Sequence, residues 1–127
     1  RKAANQGLAQ AQYLLGMMYQ DGDGVSKDPV RAAECYRKAA NQGLAEAQCN
    51  LGGMYMDGYG VSRAHVRAVE WCRKAANQGL AEAQFNLGLM YKNGDGVSLD
   101  YVRAMEWWRK AANQGHARAA QCIMDAK

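Results

Sequence analysis

From Leu8 to about Asp21, apolar side chains recur at the three- and four-residue intervals of one helix face, at Ala11, Leu15, Met18 and Tyr19. The same run returns at Ala47, Leu51, Met54 and Tyr55, and again at Ala83, Leu87, Met90 and Tyr91. The spacing predicts an amphipathic helix A in each of three units. Behind it stand Asp-Gly-Asp-Gly-Val, Asp-Gly-Tyr-Gly-Val and Asn-Gly-Asp-Gly-Val, whose paired glycines allow the positive φ of a tight helix-to-helix connection. Asp28 followed by Pro29 reads as an N-cap and first turn. Val30, Ala33, Tyr36, Ala39 and Ala40 then mark a helix B that closes with Gly43 as its C′ residue.

Arg-Lys-Ala-Ala-Asn-Gln-Gly starts at Arg1, Arg37, Arg73 and Arg109, at a constant 36-residue spacing. A fixed period of this size is the mark of an array, in which each unit buries its apolar face only by stacking on its neighbours. The period divides the chain into residues 1–7 as the end of a preceding helix B, repeats at 8–43, 44–79 and 80–115, and 116–127 as the start of a fourth. Because the chain begins without methionine inside a repeat, it reads as a fragment of a longer protein.

Gly16, Gly52 and Gly88 fall mid-helix, where glycine costs about 1 kcal/mol relative to alanine. Three copies of that cost imply a close helix approach, with Trp71 and Trp107, or Tyr36 and Trp108, filling the space from helix B. In the second unit Ala64 replaces the capping Asp28 and Asp100, so its helix B should fray more. In the last unit Met124 stands in the glycine column and Lys127 in the tyrosine column.

Composition narrows the function classes. With 49% apolar and 22% charged residues the chain folds as a helical protein, and it has no apolar run long enough to enter a bilayer. The net charge of +4 suggests a basic surface, but Arg31 and Glu34, Arg67 and Glu70, Arg103 and Glu106, with Lys38, Lys74 and Lys110, sit at the spacings of solvated ion pairs. No uncompensated basic stripe for nucleic acid emerges. Cys35, Cys49, Cys72 and Cys122 are out of register, which favours small buried thiols over a duplicated disulfide framework and leaves bridging open. Asp21, Asp23 and Gly24 lack the remaining ligands of a calcium loop, and His65 and His116 lack metal-ligand spacing. With no phosphate loop or nucleophile motif, the sequence carries no expectation of catalysis, metal or cofactor.

Ala-x-Ala-x-x-x-Leu-Gly-x-Met-Tyr, Gly-x-Gly-Val and Arg-Lys-Ala-Ala-x-Gln-Gly at a 36-residue period resemble the Sel1-like repeat, a relative of the tetratricopeptide repeat. The resemblance implies an all-α fold, α/α hairpins in a right-handed superhelical solenoid with helix A on the concave face. It also implies adaptor or scaffold proteins that bind other proteins. A cysteine-rich secreted branch of that family carries two cysteines per repeat, where this chain has Ala39, Ala40, Ala47 and Gln48.

Variable helix A columns are where a ligand is expected, since stacking fixes the others. On that basis Tyr13, Met17, Met56, Phe85 and Leu89 form an apolar row, Cys49 shares the Tyr13 and Phe85 column, and Lys92 shares that of Met56. Glu46 and Glu82, in one column with Arg118, set charge preference. Asn50 and Asn86, one repeat apart, offer amides that bond an extended peptide backbone, as the related repeats imply. The expected partner is an extended peptide or protein segment. End-to-end self-assembly, and binding of cell-wall glycans or small molecules, stand as alternatives, while partner identity and compartment are not fixed by these residues.

Overall fold

The computed structural model describes the backbone of residues 2–126 and the side chains of residues 7–126, so Arg1 and Lys127, and the side chains of residues 2–6, lie outside the described residues. Among the described residues there are seven helices and no strand: α1 (Lys2–Asp21), α2 (Pro29–Asn41), α3 (Ala45–Asp57), α4 (His65–Asn77), α5 (Ala81–Asn93), α6 (Tyr101–Asn113) and α7 (Ala117–Asp125). Helices α1, α3, α5 and α7 are helix A, and α2, α4 and α6 are helix B. Each packs on its neighbours in sequence, giving a solenoid of α/α hairpins.

Small residues let the helices approach. The alanine columns Ala32, Ala68, Ala104 and Ala39, Ala75, Ala111 on helix B, and Ala47, Ala83, Ala119 on helix A, are fully buried. The mid-helix glycines face one helix B column. A Cβ on Gly16 would lie 2.8 Å from the Tyr36 ring, one on Gly52 2.7 Å from Cys72 Sγ, and one on Gly88 against the Trp108 indole. Tyr36 and Trp108 are therefore the fillers; Trp71 and Trp107 instead lie under Lys74 and Lys110, with nitrogen-to-ring distances of 5.1 and 4.6 Å. The turns are equally tight. Gly60 and Gly96 have φ of +77° and +74°, and any side chain there would strike the Pro29 or His65 carbonyl one repeat earlier.

The repeats are tied by glutamine. At the end of α4, the Gln78 amide donates to Gly43 O and to Gln48 Oε1, both at 2.9 Å. Buried Gln48 in turn donates to Ala40 O at 3.1 Å. Gln114, Gly79, Gln84 and Ala76 repeat the arrangement at 2.8, 2.9 and 3.2 Å. One amide so joins the end of its own helix B to the preceding turn and to the helix A after that turn.

Several expectations need correction. The turn anticipated at Gly7 is absent, since α1 runs unbroken from Lys2 to Asp21. Gly43, Gly79 and Gly115 turn with φ near +95° between two packed helices, whereas through Gly7 the helix propagates without a break. Leu15 is 40% exposed, while Leu51 and Leu87, on helices packed against α2 and α4, are fully buried. The arginines do not pair with Glu34, Glu70 or Glu106. Arg31 and Arg103 bond their N-cap carboxylates, Asp28 and Asp100, at 3.5 Å, and the guanidiniums of Arg31, Arg67 and Arg103 sit 5.8–5.9 Å above the rings of Tyr19, Tyr55 and Tyr91. A cation over a half-shielded ring outweighs an exposed i,i+3 pair, which is worth only tenths of a kcal/mol. Ala64 makes no side-chain cap bond, unlike Asp28 and Asp100.

Replacing Gly88 with leucine should lower stability by roughly 1–3 kcal/mol by overpacking Trp108. Gly53→Ala, with open space beyond its Cα, should raise it by up to about 1 kcal/mol. Chemical denaturation of both variants checks the pair, and equal midpoints contradict the packing described.

Candidate functional site: a recess on the helix A face

Keeping the stacking columns constant leaves α1, α3 and α5 to differ where their outer faces meet. Between α3 and α5 those faces enclose a recess of about 300 Å³. Its origin is a coincidence of two small residues in the second repeat. The column holding Met17 and Leu89 has Gly53 there, and the column holding Tyr36 and Trp108 has Cys72. Met56, Leu89 and Met90 give it apolar walls, Asn86 a half-buried amide, and Asp57, Asn93 and Asp95 a polar mouth.

The predicted site residues are thus only partly assembled. Met56, Leu89 and Asn86 meet in the recess. Met17 is exposed on α1, and Lys92 lines a separate cavity of about 430 Å³ near Trp108 and Asp125. Phe85 and Cys49 require correction, because they are buried and present no surface to a ligand. Phe85 is roofed by α7. The His116 ring stacks on it at 4.7 Å, and the Arg118 guanidinium lies over it at 4.7 Å. Glu82 is also engaged: His116 Nδ1 accepts from Ala119 N–H, leaving Nε2 to donate to Glu82 Oε1 at 2.8 Å. Glu46 stays exposed.

Both asparagines touch neighbouring helices. Asn86 donates to Cys49 Sγ at 3.7 Å, a weak bond. Asn50 stands near Tyr13 and Tyr36, whose rings are 5.8 Å apart; burial raises both hydroxyls and the Asn50 amide offsets part of that rise. The Tyr36 hydroxyl donates to Gln20 Oε1. Tyr36, bonded to Gln20, therefore occupies between α1 and α3 the position that the smaller Cys72 takes between α3 and α5.

Burial governs the titratable groups here. Desolvation pushes Tyr36 up to about 12, the Cys49 thiol to about 11 and the Cys72 thiol to about 12, so these thiols are protonated and poorly nucleophilic. All four cysteines are free. On the helix B side, desolvation also opposes ionisation of Tyr55 and Tyr91, but hydrogen bonds from Arg37 and Arg67, and from Arg73 and Arg103, leave both below the usual tyrosine range. Arg37 and Arg73 donate to those hydroxyls at 2.8 Å. Among the described residues no group of three or more His, Cys, Asp or Glu side chains is placed to hold a metal ion.

Comparison with known proteins settles the family. The Sel1 repeat profile matches residues 9–44, 45–80 and 81–116. The chain belongs to the Sel1 repeat family. It is 45% identical to the protective antigen present in uropathogenic Escherichia coli strains that displays an SLR fold, with a TM-score of 0.90 over 95% of this chain and 26% of that one. It is 44% identical to a Sel1 repeat protein from Oxalobacter formigenes, with a TM-score of 0.85 over 90% of this chain and 45% of that one. The chain spans about a quarter of the first and under half of the second. At 22% identity and a TM-score of 0.76, Helicobacter pylori cysteine rich protein B shares the fold, over 95% of this chain and 92% of that one. No curated protein sequence matches. Sel1 repeats are generally protein–protein interaction modules.

Sequence reasoning missed Gly53, Cys72, Asp57 and Asp95. The signal was available, since both variable columns shrink in the same repeat. The electrostatics are checked in alkali. The raised Tyr36 favours the fold while protonated, so its contribution is present below pH 10 and is lost as pH climbs from about 10 to about 12. The lowered Tyr55 and Tyr91 act oppositely, adding stability as they ionise below 10. Tyr36→Phe should flatten the fall in denaturation midpoint between pH 10 and 12; an unaltered slope contradicts the assignment.

Proposed function

We propose that the chain is a non-catalytic adaptor module that binds an extended peptide or protein segment along the helix A face. The observation that carries this reading is the recess between α3 and α5, where Met56, Leu89 and Asn86 converge. Family membership supports the same class, because Sel1 repeats generally act by holding other proteins. Affinity comes from apolar side chains entering the recess and from exposed Met17 and half-buried Tyr13 along the face. Asn86, whose present partner is only a thiol, exchanges that weak bond for a peptide carbonyl or N–H without loss. Asn50 lies outside the recess lining and supplies less. Glu46 and Lys92 flank the run and bias it by charge.

End-to-end assembly receives less support, since the recess opens on the side of the rod and plays no part in stacking one copy on another. A platform for glycans would need exposed aromatic rings on this face, and Phe85 is buried.

Peptides selected on the immobilised chain from a random display library supply the test. Calorimetry should give at least a tenfold loss for Asn86→Ala, about 1.4 kcal/mol, and a smaller one for Asn50→Ala. Selected peptides that shift only the α2, α4 and α6 resonances in NMR titration, or ignore Asn86→Ala, overturn the reading.

A further inference from the structure

We infer that the recess between α3 and α5 is a subsite for one basic side chain, a lysine or arginine of the bound segment; this rests on the groove reading above and gives it a specificity. The shape comes first. Gly53 and Cys72 stand where the other repeats have Met17 and Leu89, and Tyr36 and Trp108, so the space continues inward past Met56, Leu89 and Met90. Such walls suit the methylene stem of a long side chain.

The mouth supplies the charge. Asp57 at the end of α3 and Asp95 in the turn after α5 both line the recess, and among the described residues neither has a cationic partner within 4 Å. Asp28 and Asp100 differ in this respect, since each is bonded to an arginine. Two uncompensated carboxylates above an apolar sleeve favour an aliphatic stem ending in a cation over a fully apolar or an acidic side chain. Between α1 and α3 the equivalent position holds Tyr36, bonded to Gln20, and the cavity between α5 and α7 is lined by both Lys92 and Asp125. The α3–α5 recess holds two acids and no lysine or arginine in its lining, whereas the α5–α7 cavity sets Lys92 beside its one acid, Asp125, so the charge complementarity points to one basic residue per bound segment and not a basic run.

The probes are three acetylated, amidated pentapeptides of alanine with a central lysine, norleucine or glutamate, titrated into the chain carrying 13C-methyl methionine. The lysine peptide should shift the Met56 and Met90 methyls saturably, with affinity at least fivefold above norleucine and with no saturable shift for glutamate. Asp57→Asn combined with Asp95→Asn should erase the preference for lysine over norleucine. Gly53→Leu should fill the sleeve and abolish the Met56 shift. Since a Cβ at Gly53 meets nothing within 4 Å, that variant keeps its fold, which a denaturation midpoint no lower than that of the parent chain verifies. Equal affinity for lysine and norleucine overturns the basic subsite and leaves the groove reading standing. No shift from any peptide, or shifts that survive Gly53→Leu, overturn both.

Discussion

The second and third repeats are each locked to the one before by a side-chain amide, Gln78 or Gln114, with both hydrogens committed. Gln78 bonds the Gly43 carbonyl and Gln48, and Gln48 bonds Ala40, so α2, α3 and α4 are held at one junction. The acceptor at Gly43 exists only because that residue turns with φ of +95°, exposing a carbonyl that a continuing helix would have used itself. Buried polar groups of this kind tolerate little misplacement, since an orphaned Gln48 costs about 1–3 kcal/mol. The network thus sets the register in which the alanine columns and the glycine–aromatic contacts then close.

Once register is fixed, the rest depends on which columns the stacking consumes. Gly52 must accept the α4 side chain above it, and the Tyr55 and Tyr91 hydroxyls must receive their arginines. Columns outside this set change the groove without changing the rod. Gly53 and Cys72 are the instructive pair, because each removes volume on the same side of the same repeat. The resulting recess is a property of the sequence difference between repeats, carried on a scaffold that their identity supplies.

Much of this was legible in the sequence. The 36-residue period, the alternation of helix A and helix B, the cap at Asp28 and the close approach at Gly88 are local or periodic signals, and the structure places them as the pattern indicates, although Ala11, Leu15, Met18 and Val30 of the expected apolar faces are exposed. What escaped was set by the third dimension. Phe85 and Cys49 fall in a variable column, yet the roof of His116 and Arg118 and the neighbouring α5 bury them. Arginine and glutamate at i,i+3 read as ion pairs, but the tyrosine rings of the adjacent helix compete for the same guanidinium. The glutamines were visible as invariant columns, and their pairing across 30 and 35 residues was not, because a periodic sequence does not say which copy touches which.

The claim that amide bonding between repeats fixes the register is tested most directly by a double-mutant cycle on Gln48→Ala and Gln78→Ala, read by denaturation midpoint. Since both side chains serve one network, the two losses should fall short of additivity by a coupling of about 1–2 kcal/mol. Strict additivity, with each variant costing only tenths of a kcal/mol, would contradict it.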